Sequence, residues 1–543
     1  MDAKATPIDR DWWKRRPVYQ IYPRSFLDTN GDGVGDLVGI TQGLTALKAL
    51  GAGIVWLSPI FFSPMADNGY DMADYCRIDP RFGTMADFEA LLAQAALLDL
   101  KIVLDIALNH TSIEHPWFVA AARDPTSPYR DFYHWREKPN NWHSIFGGPA
   151  WSQVPDGAYY LHLFDKTQAD LNWDNPTVRQ HIYEAMRFWL TKGVSGFRLD
   201  VVTVISKPAG LPDVADPSPG PLYKALAIGP NLHPWLREMR REVFDHYDCV
   251  AIGEGPGLNP VRAAQLVDPA DPMLDMIYHF DFVDPPQRAN QPWDRVWFKS
   301  VFSRWDQAIG PRGWNTCVLG NHDLRRLISR FGDQNVNDGQ VAKALAAAYL
   351  LQRATPFIYQ GDELGLGDTI ITSFEDLNDV WAKTTYRLEL EVGGTEAQAL
   401  AKAAAMTRDH ARTPYPWTPL GGFTTGTPWL KPTLNKGGVD LATQMADPNS
   451  VWSFYRFALK LREADPATWI FGAYEDIAPE HPDVFVFKRG EYGLVSINFG
   501  SQPYHLCDLD HNLLEGRRLL AAFGDVEGDQ LGPWACCIFG RGN

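Results

Sequence analysis

Cysteine is scarce in this 543-residue chain, and its six residues (Cys76, Cys249, Cys317, Cys507, Cys536 and Cys537) form no CxxC pair. Such spacing offers no disulfide framework and fits free thiols in a reducing compartment. No apolar run approaches the ~20 residues that span a bilayer. The opening MDAKATPIDRDWWKRRP lacks the apolar core of a secretion signal. Both absences lead to the expectation of a cytoplasmic protein with no membrane partner. Basic residues are outnumbered, 50 against 66 acidic, for a net charge of −16. That balance repels a phosphate backbone and excludes nucleic acid as the expected partner. Internal repeats and low-complexity tracts are missing as well.

What is present is an ordinary soluble balance, 45% hydrophobic and 21% charged, enough to bury a large core. Aromatics reach 13%, with 20 Trp and 20 Tyr; such rings fill cores or face sugar rings, and burial statistics favour the core. Eight short β-rich runs recur: VYQIYPRSF (18–26), GIVWLSP (53–59), KIVLDIALNH (101–110), GFRLDVV (196–202), CVAIGEG (249–255), MIYHFDF (276–282), NTCVLGNHD (315–323) and TPFIYQGDE (355–363). Amphipathic stretches such as FEALLAQAALLD (88–99) and VRQHIYEAMRFWLTKG (178–193) lie between most of them. Strands that alternate with helices predict an α/β fold, a parallel (β/α)8 TIM barrel.

Two segments exceed a minimal barrel. Residues 111–175, rich in Pro, Trp, His and Gly, read as a loop-rich insertion domain after strand 3, and residues 364–450 form a second long excursion. From about residue 476 short alternating runs such as DVFVFKRG and GLVSINFG predict an antiparallel C-terminal β domain, 476–543. The catalytic barrel then comprises 1–110 and 176–475.

Several strands end on a carboxylate or histidine, as in IVLDIALNH, GFRLD, AIGEG and LGNHD. Barrels of this class place their active face at the C-terminal strand ends, so Asp200, Glu254 and Asp323 are expected to converge. A single strand-end Asp is usually a cap or loop anchor. Three such acids with Asn109-His110 and Asn321-His322 are harder to explain structurally. Convergent carboxyls without a Cys or His metal cluster suit acid-base work on a glycosidic bond, one protonated and one ionised. Strand neighbours lie about 4.8 Å apart, which matches the roughly 5 Å carboxyl separation of a retaining mechanism. Arg198, two residues before Asp200 on the same strand face, is positioned to favour its anion.

DIALNH, GFRLDVV, IGEGPG and LGNHD resemble the four signature regions of the α-amylase superfamily, in its order and with its long insertion after the third strand. YQIYPRSFLDTNGDGVGDL, DNGYDMADY, YYLHLFDKTQADLNWDNP, SRFGD, FIYQGDELG and RTPYPW resemble its α-glucosidase and oligo-1,6-glucosidase branch. The resemblance implies Asp200 as nucleophile, Glu254 as general acid/base and Asp323 as a third carboxylate on the sugar hydroxyls. It further implies that Asp67, Tyr70, His110, Phe164, Gln168, Arg198, His322 and Arg412 surround a non-reducing glucose, with Tyr70 stacked on the ring. Val201 after the nucleophile, and VVTVISKPAG with its lysine, are similar to the stretch that accompanies α-1,6 substrates. Gly255, His410 and Tyr415-Pro416 depart from the pattern and are expected near the aglycone side. The implied activity is release of glucose from short α-glucosides, with no organic cofactor, by a monomer or homodimer. Alternatives are a glucosyl transferase or sucrose-acting enzyme with the same site, and a non-enzymatic amylase-like chaperone or transporter subunit.

One further stretch, DTNGDGVGD (28–36), spaces oxygen donors around glycines. Asp28, Asn30, Asp32 and Asp36 occupy positions 1, 3, 5 and 9 of an EF-hand-like loop, with the Val34 carbonyl at position 7. Position 12 is Gly39 instead of the bidentate Glu, which argues against calcium sensing. The expectation is a structural divalent cation, Ca2+ or Mg2+, bracing the loop after the first strand.

Overall fold

A computed structural model describes residues 11–282, 293–333, 336–433 and 438–542. The first ten residues of the N-terminal segment read above lie outside it. Eight parallel strands form the central sheet: β1 (Val18–Ile21), β2 (Ile54–Leu57), β3 (Lys101–Ala107), β4 (Gly196–Asp200), β5 (Val250–Gly255), β6 (Met276–His279), β7 (Thr316–Val318) and β8 (Thr355–Tyr359). They are ordered β6-β5-β4-β3-β2-β1-β8-β7, a barrel opened only between its sixth and seventh staves. There the Thr316 hydroxyl donates to the Ile277 carbonyl at 3.0 Å and spans the seam.

Eight helices follow the strands in turn: α1 (Leu37–Leu50), α2 (Met85–Leu97), α3 (Pro176–Thr191), α4 (Leu232–Glu242), α5 (Pro260–Leu266), α6 (Arg295–Ile309), α7 (Asp338–Leu350) and α8 (Val451–Ala464). Their ends carry local signals. Asp36 caps α1, whose C-terminus stops at Gly51 in the left-handed region at φ 112°. Thr84 and Asp87 form a reciprocal capping box on α2. Asn175 caps α3 ahead of a proline at its first turn.

Because side chains alternate along a strand, the barrel interior can be read from the register. Val18, Ile54, Val103, Val250, Ile252, Met276, Val318 and Phe357 fill one apolar cluster inside the staves. One step further toward the C-terminal strand ends, the inward positions turn polar: Gln20, Asp105, Arg198 and Glu254 are all buried. An apolar plug below and a polar layer above place the reactive groups on top of a rigid floor.

The insertion between β3 and α3 is built from short antiparallel pieces. His110–Ser112 pairs with Gln168–Asp170, and Trp151–Gln153, Tyr159–Leu161 and Trp135–Arg136 make a small sheet. The excursion after β8 is more regular than its sequence suggested, with helices at Val380–Glu391 and Glu396–Met406. A five-stranded antiparallel sheet closes the chain, from Tyr474–Asp476 to Cys536–Arg541. Lys299 of α6, 1% exposed, anchors it by donating to the carbonyls of Ala478, His481 and Val484. None of the six cysteines, all among the described residues, forms a disulfide. Among the described residues no helix is long and apolar enough to cross a membrane.

Candidate active site

Register brings the acids together. Arg198 lies directly opposite Asp105, and Asp200 opposite Ala107. On the other side Leu199 faces Gly253, which sets Asp200 and Glu254 at adjoining strand ends. Arg198, with no exposed surface, is the hub of this layer. Its Nη1 reaches Asp200 Oδ1 at 2.5 Å and Asp105 Oδ1 at 2.9 Å, while Nη2 pairs with Glu254. The guanidinium also stands over Trp56 and Tyr278, at 5.2 and 5.6 Å from the ring centroids.

Glu254 receives two further hydrogen bonds, from the Tyr278 hydroxyl at 2.8 Å and from the Val201 backbone N–H at 2.8 Å. Making the second bond holds Val201 at φ 38°, ψ 37°, a left-handed conformation that a β-branched side chain rarely adopts. Such strain persists only where the surroundings impose it. Here the residue next to Asp200 is fixed by the very carboxylate with which Asp200 would work.

Asp323 lies beyond β7 and enters from the loop side. Arg412 Nη2 reaches its Oδ1 at 2.9 Å, Arg408 Nη1 at 3.3 Å, and His322 Nε2 approaches Oδ2 at 3.1 Å. His322 is held from behind by Gln20 at 2.7 Å and stacks on Tyr70, with centroids 5.1 Å apart and planes 4° from parallel. The Tyr70 hydroxyl donates to Asp105 at 2.8 Å. Asp67 pairs with Arg408 at 2.7 Å and accepts from Gln168 at 3.2 Å; Gln168 also meets His110 at 3.1 Å. Phe164 packs on His110 with centroids 5.2 Å apart. Every residue expected from the sequence in the catalytic and sugar-binding set thus falls in one connected network of contacts.

Electrostatics divide the carboxyls into two kinds. Burial pushes Asp200 well above the usual carboxylate range; Arg198 opposes this, and the neighbouring carboxyls Glu254, Asp105 and Asp323 add to it. Asp105 is likewise raised by burial against the pull of Arg198 and His322. Arg198 therefore acts on Asp200 in the expected direction without outweighing desolvation. Asp323 is the opposite case: burial would raise it, but His322, Arg408 and Arg412 hold it well below the ordinary range. Asp67 is lifted to about 6 by burial despite Arg408 and Arg412. Burial lowers His110 to about 4, so it works as a neutral imidazole.

Sequence reasoning missed Asp105, Tyr278, Arg408 and Asp379. Asp105 and Tyr278 sit inside strand runs at inward positions, and the period-two pattern ending on Arg198 and Glu254 carried that signal. Asp379 gave none; it arrives from the excursion and binds Arg408 Nε at 2.9 Å and Nη2 at 2.6 Å. Lys207 is buried and pairs with Asp170 at 2.8 Å, tying the insertion to the loop after β4. Two expectations are corrected. Tyr415 does not line the site but is buried beside the segments that follow β1 and β8, its N–H donating to the Ser25 carbonyl and its hydroxyl to Glu363 at 2.6 Å. His410 turns away as well, toward the Ala404 carbonyl at 2.8 Å.

The 28–36 loop folds on itself. Asp28 accepts from the N–H groups of Asn30, Gly31 and Gly33, Asn30 from Asp32, Asp32 from Val34, and Asp36 from Gly39. Gly31 and Gly33 take φ of 83° and 89°, which the turn requires. The loop docks on the excursion through Asp28 N to Phe423 O and Trp429 N to Gly33 O. Its three aspartates do not draw their carboxylates into one tight cluster. Among the described residues only His505, Cys507 and Asp529 bring three His, Cys or acidic donor atoms within 4.8 Å of one another.

Comparison with known proteins agrees with this geometry. Residues 20–469 match the alpha amylase catalytic domain. The chain is 39% identical to the oligo-1,6-glucosidase of Parageobacillus thermoglucosidasius, over 98% of this chain and 99% of that one. It is 42% identical to the oligo-1,6-glucosidase of Halalkalibacterium halodurans, over 96% of each. Among solved structures, an isomaltulose synthase variant from Erwinia rhapontici NX5 in complex with its natural substrate sucrose superposes with a TM-score of 0.91 at 38% identity, covering 97% of this chain and 98% of that one. With its signature acids on one barrel rim, this chain belongs to the α-amylase family.

Proposed function

We propose that the protein is a retaining α-glucosidase that releases glucose from the non-reducing end of short α-glucosides, α-1,6-linked ones above all. The observation that carries this reading is the placement of Asp200 and Glu254 at adjoining strand ends around Arg198, with ionised Asp323 facing them. The displacement requires the proton on Glu254 and the anion on Asp200. Asp200 Oδ attacks the anomeric carbon as Glu254 protonates the departing glycosidic oxygen, giving a covalent β-glucosyl-Asp200. Glu254 then removes a proton from water, which attacks the same carbon and expels Asp200. Two inversions return the α anomer. Asp323, held by His322 and the arginines, accepts from sugar hydroxyls, and its hydrogen bonds strengthen as the ring distorts.

The α-1,6 preference is supported by Val201 beside the nucleophile and by the oligo-1,6-glucosidases among the relatives. The test is proton NMR of isomaltose hydrolysis. We expect α-glucose as the first product, and Asp200→Asn should lower kcat by about 10^3-fold or more, the scale on which a covalent nucleophile matters. First-formed β-glucose, or full turnover by the variant, would overturn the reading.

The same reading includes a divalent cation of the Ca2+ class on the 28–36 loop. Asp28, Asn30, Asp32 and Asp36 with the Val34 carbonyl supply hard oxygen donors, the chemistry such an ion prefers. The ion would brace the junction between the loop after β1 and the excursion and take no part in bond cleavage.

A further inference from the structure

The C-terminal domain holds a donor set of different chemistry. The short strands Tyr504–His505 and Gln530–Leu531 pair antiparallel, with His505 opposite Gln530. The chain then turns so that Leu506 N–H donates to the Asp529 carbonyl at 3.0 Å and Cys507 N–H to Asp529 Oδ2 at 3.1 Å. His505 Nδ1 stands 3.2 Å from Asp529 Oδ1. Backbone pairing thus fixes imidazole, thiol and carboxyl around one point, their donor atoms all within 4.8 Å of each other.

We infer that His505, Cys507 and Asp529 form a three-ligand site for a Zn2+-class cation, unrelated to the oxygen-only loop at 28–36. In a tetrahedral zinc site ligand atoms lie about 3.3–3.8 Å apart, so closure on an ion asks for side-chain shifts of about 1 Å and no backbone movement. A thiolate and a carboxylate neutralise the two positive charges, and the sulfur–nitrogen–oxygen set selects zinc over calcium or magnesium. Gln530 Nε2 lies 3.0 Å from His505 Nε2. With Nδ1 on the metal, the Gln530 amide in its flipped orientation accepts from the Nε2–H and fixes the ring. The His505 and Asp529 side chains are 48% and 31% exposed, which leaves an entry path and a fourth position for water. The ion would pin the turn Leu506–Asp508 to the 526–531 hairpin. Its role is structural, and it does not depend on the glycosidase reading.

The test uses the full chain after chelation. Co2+ titration should give a near-ultraviolet thiolate-to-cobalt absorption saturating at one ion per chain, absent in Cys507→Ser and weakened at least tenfold in His505→Ala. Zn2+ should raise Tm by about 2 °C or more at 100-fold excess over Kd in the native chain and by nothing in Cys507→Ser. Both variants should keep the native circular dichroism spectrum and a metal-free Tm within about 2 °C of the native chain, showing that they fold. Absence of the band, or its persistence in Cys507→Ser, overturns the site.

Discussion

At the scale of single residues, three arginines divide the negative charge of the site. Arg198 serves the acids on the strand ends, Arg412 reaches Asp323, and Arg408 reaches both Asp67 and Asp323. A guanidinium with this many partners has to be aimed, and Asp379 does so. It binds Arg408 through Nε, Nη2 and the backbone N–H at 2.9, 2.6 and 2.9 Å, with no surface exposed. Asp379→Asn keeps the shape and the helix cap on Trp381 N–H but removes the charge that fixes Arg408. We expect kcat/KM on isomaltose to fall by about 10- to 100-fold, mostly through KM, because misplacing a positioned side chain by about 1 Å costs on that order. Tm measured alongside separates positioning from unfolding; kcat/KM unchanged in a folded variant would sink the assignment. Asp200, Glu254 and Asp323 were legible in the sequence because each closes a strand run. Asp379 was not, since only tertiary packing carries it from the excursion into the pocket.

At the scale of elements, the strand runs were legible because each is a short apolar stretch buried on both sides, and α1, α2 and α3 because their caps are written in the sequence. The excursion was harder to read: the two helices at Val380–Glu391 and Glu396–Met406 bury little beyond Ala382, Ala399 and Ala403, so they give weak periodicity. The 28–36 loop was legible as a donor pattern, yet its partners at 423–429 were not. Its contacts make a stability prediction. The loop clamps the excursion to the barrel through Phe423, Thr424 and Trp429, so an ion that stiffens it acts on folding free energy by mass action. Exhaustive chelation should lower Tm by several degrees and restore it on addition of Ca2+. The kcat of the chelated, still folded enzyme should stay within about twofold, since the loop supplies no group to the reacting bond. A selective loss of kcat at constant fold would overturn the brace.

At the scale of the whole molecule, the insertion, the loop after β4 and the excursion meet through their aromatic rings. Phe146 and Phe164 come from the insertion, Tyr223 from the loop after β4 and Trp381 from the excursion. Their rings lie 5.7 Å (Phe146–Phe164), 5.7 Å (Phe146–Trp381) and 6.3 Å (Phe164–Tyr223) apart. Arg408 stands over Phe146 at 4.9 Å. The sequence marked the insertion and the excursion as excess over a minimal barrel, but their convergence with the loop after β4 is a property of the closed fold that no local pattern encodes. On the proposed function, this aromatic cluster bounds the sugar side of the site and admits a chain by its non-reducing end. Digestion of isomaltotriose should therefore release glucose and isomaltose together from the first turnover, and a long internal α-glucan should be left uncut. The likeness to an isomaltulose synthase bound to sucrose makes the fate of the glucosyl intermediate the remaining test, because water and a sugar acceptor compete for the same covalent carbon. On sucrose we expect glucose and fructose in equal amounts, resolved by chromatography. An isomerised disaccharide as the main product would move the protein from hydrolysis to transfer without altering its catalytic acids.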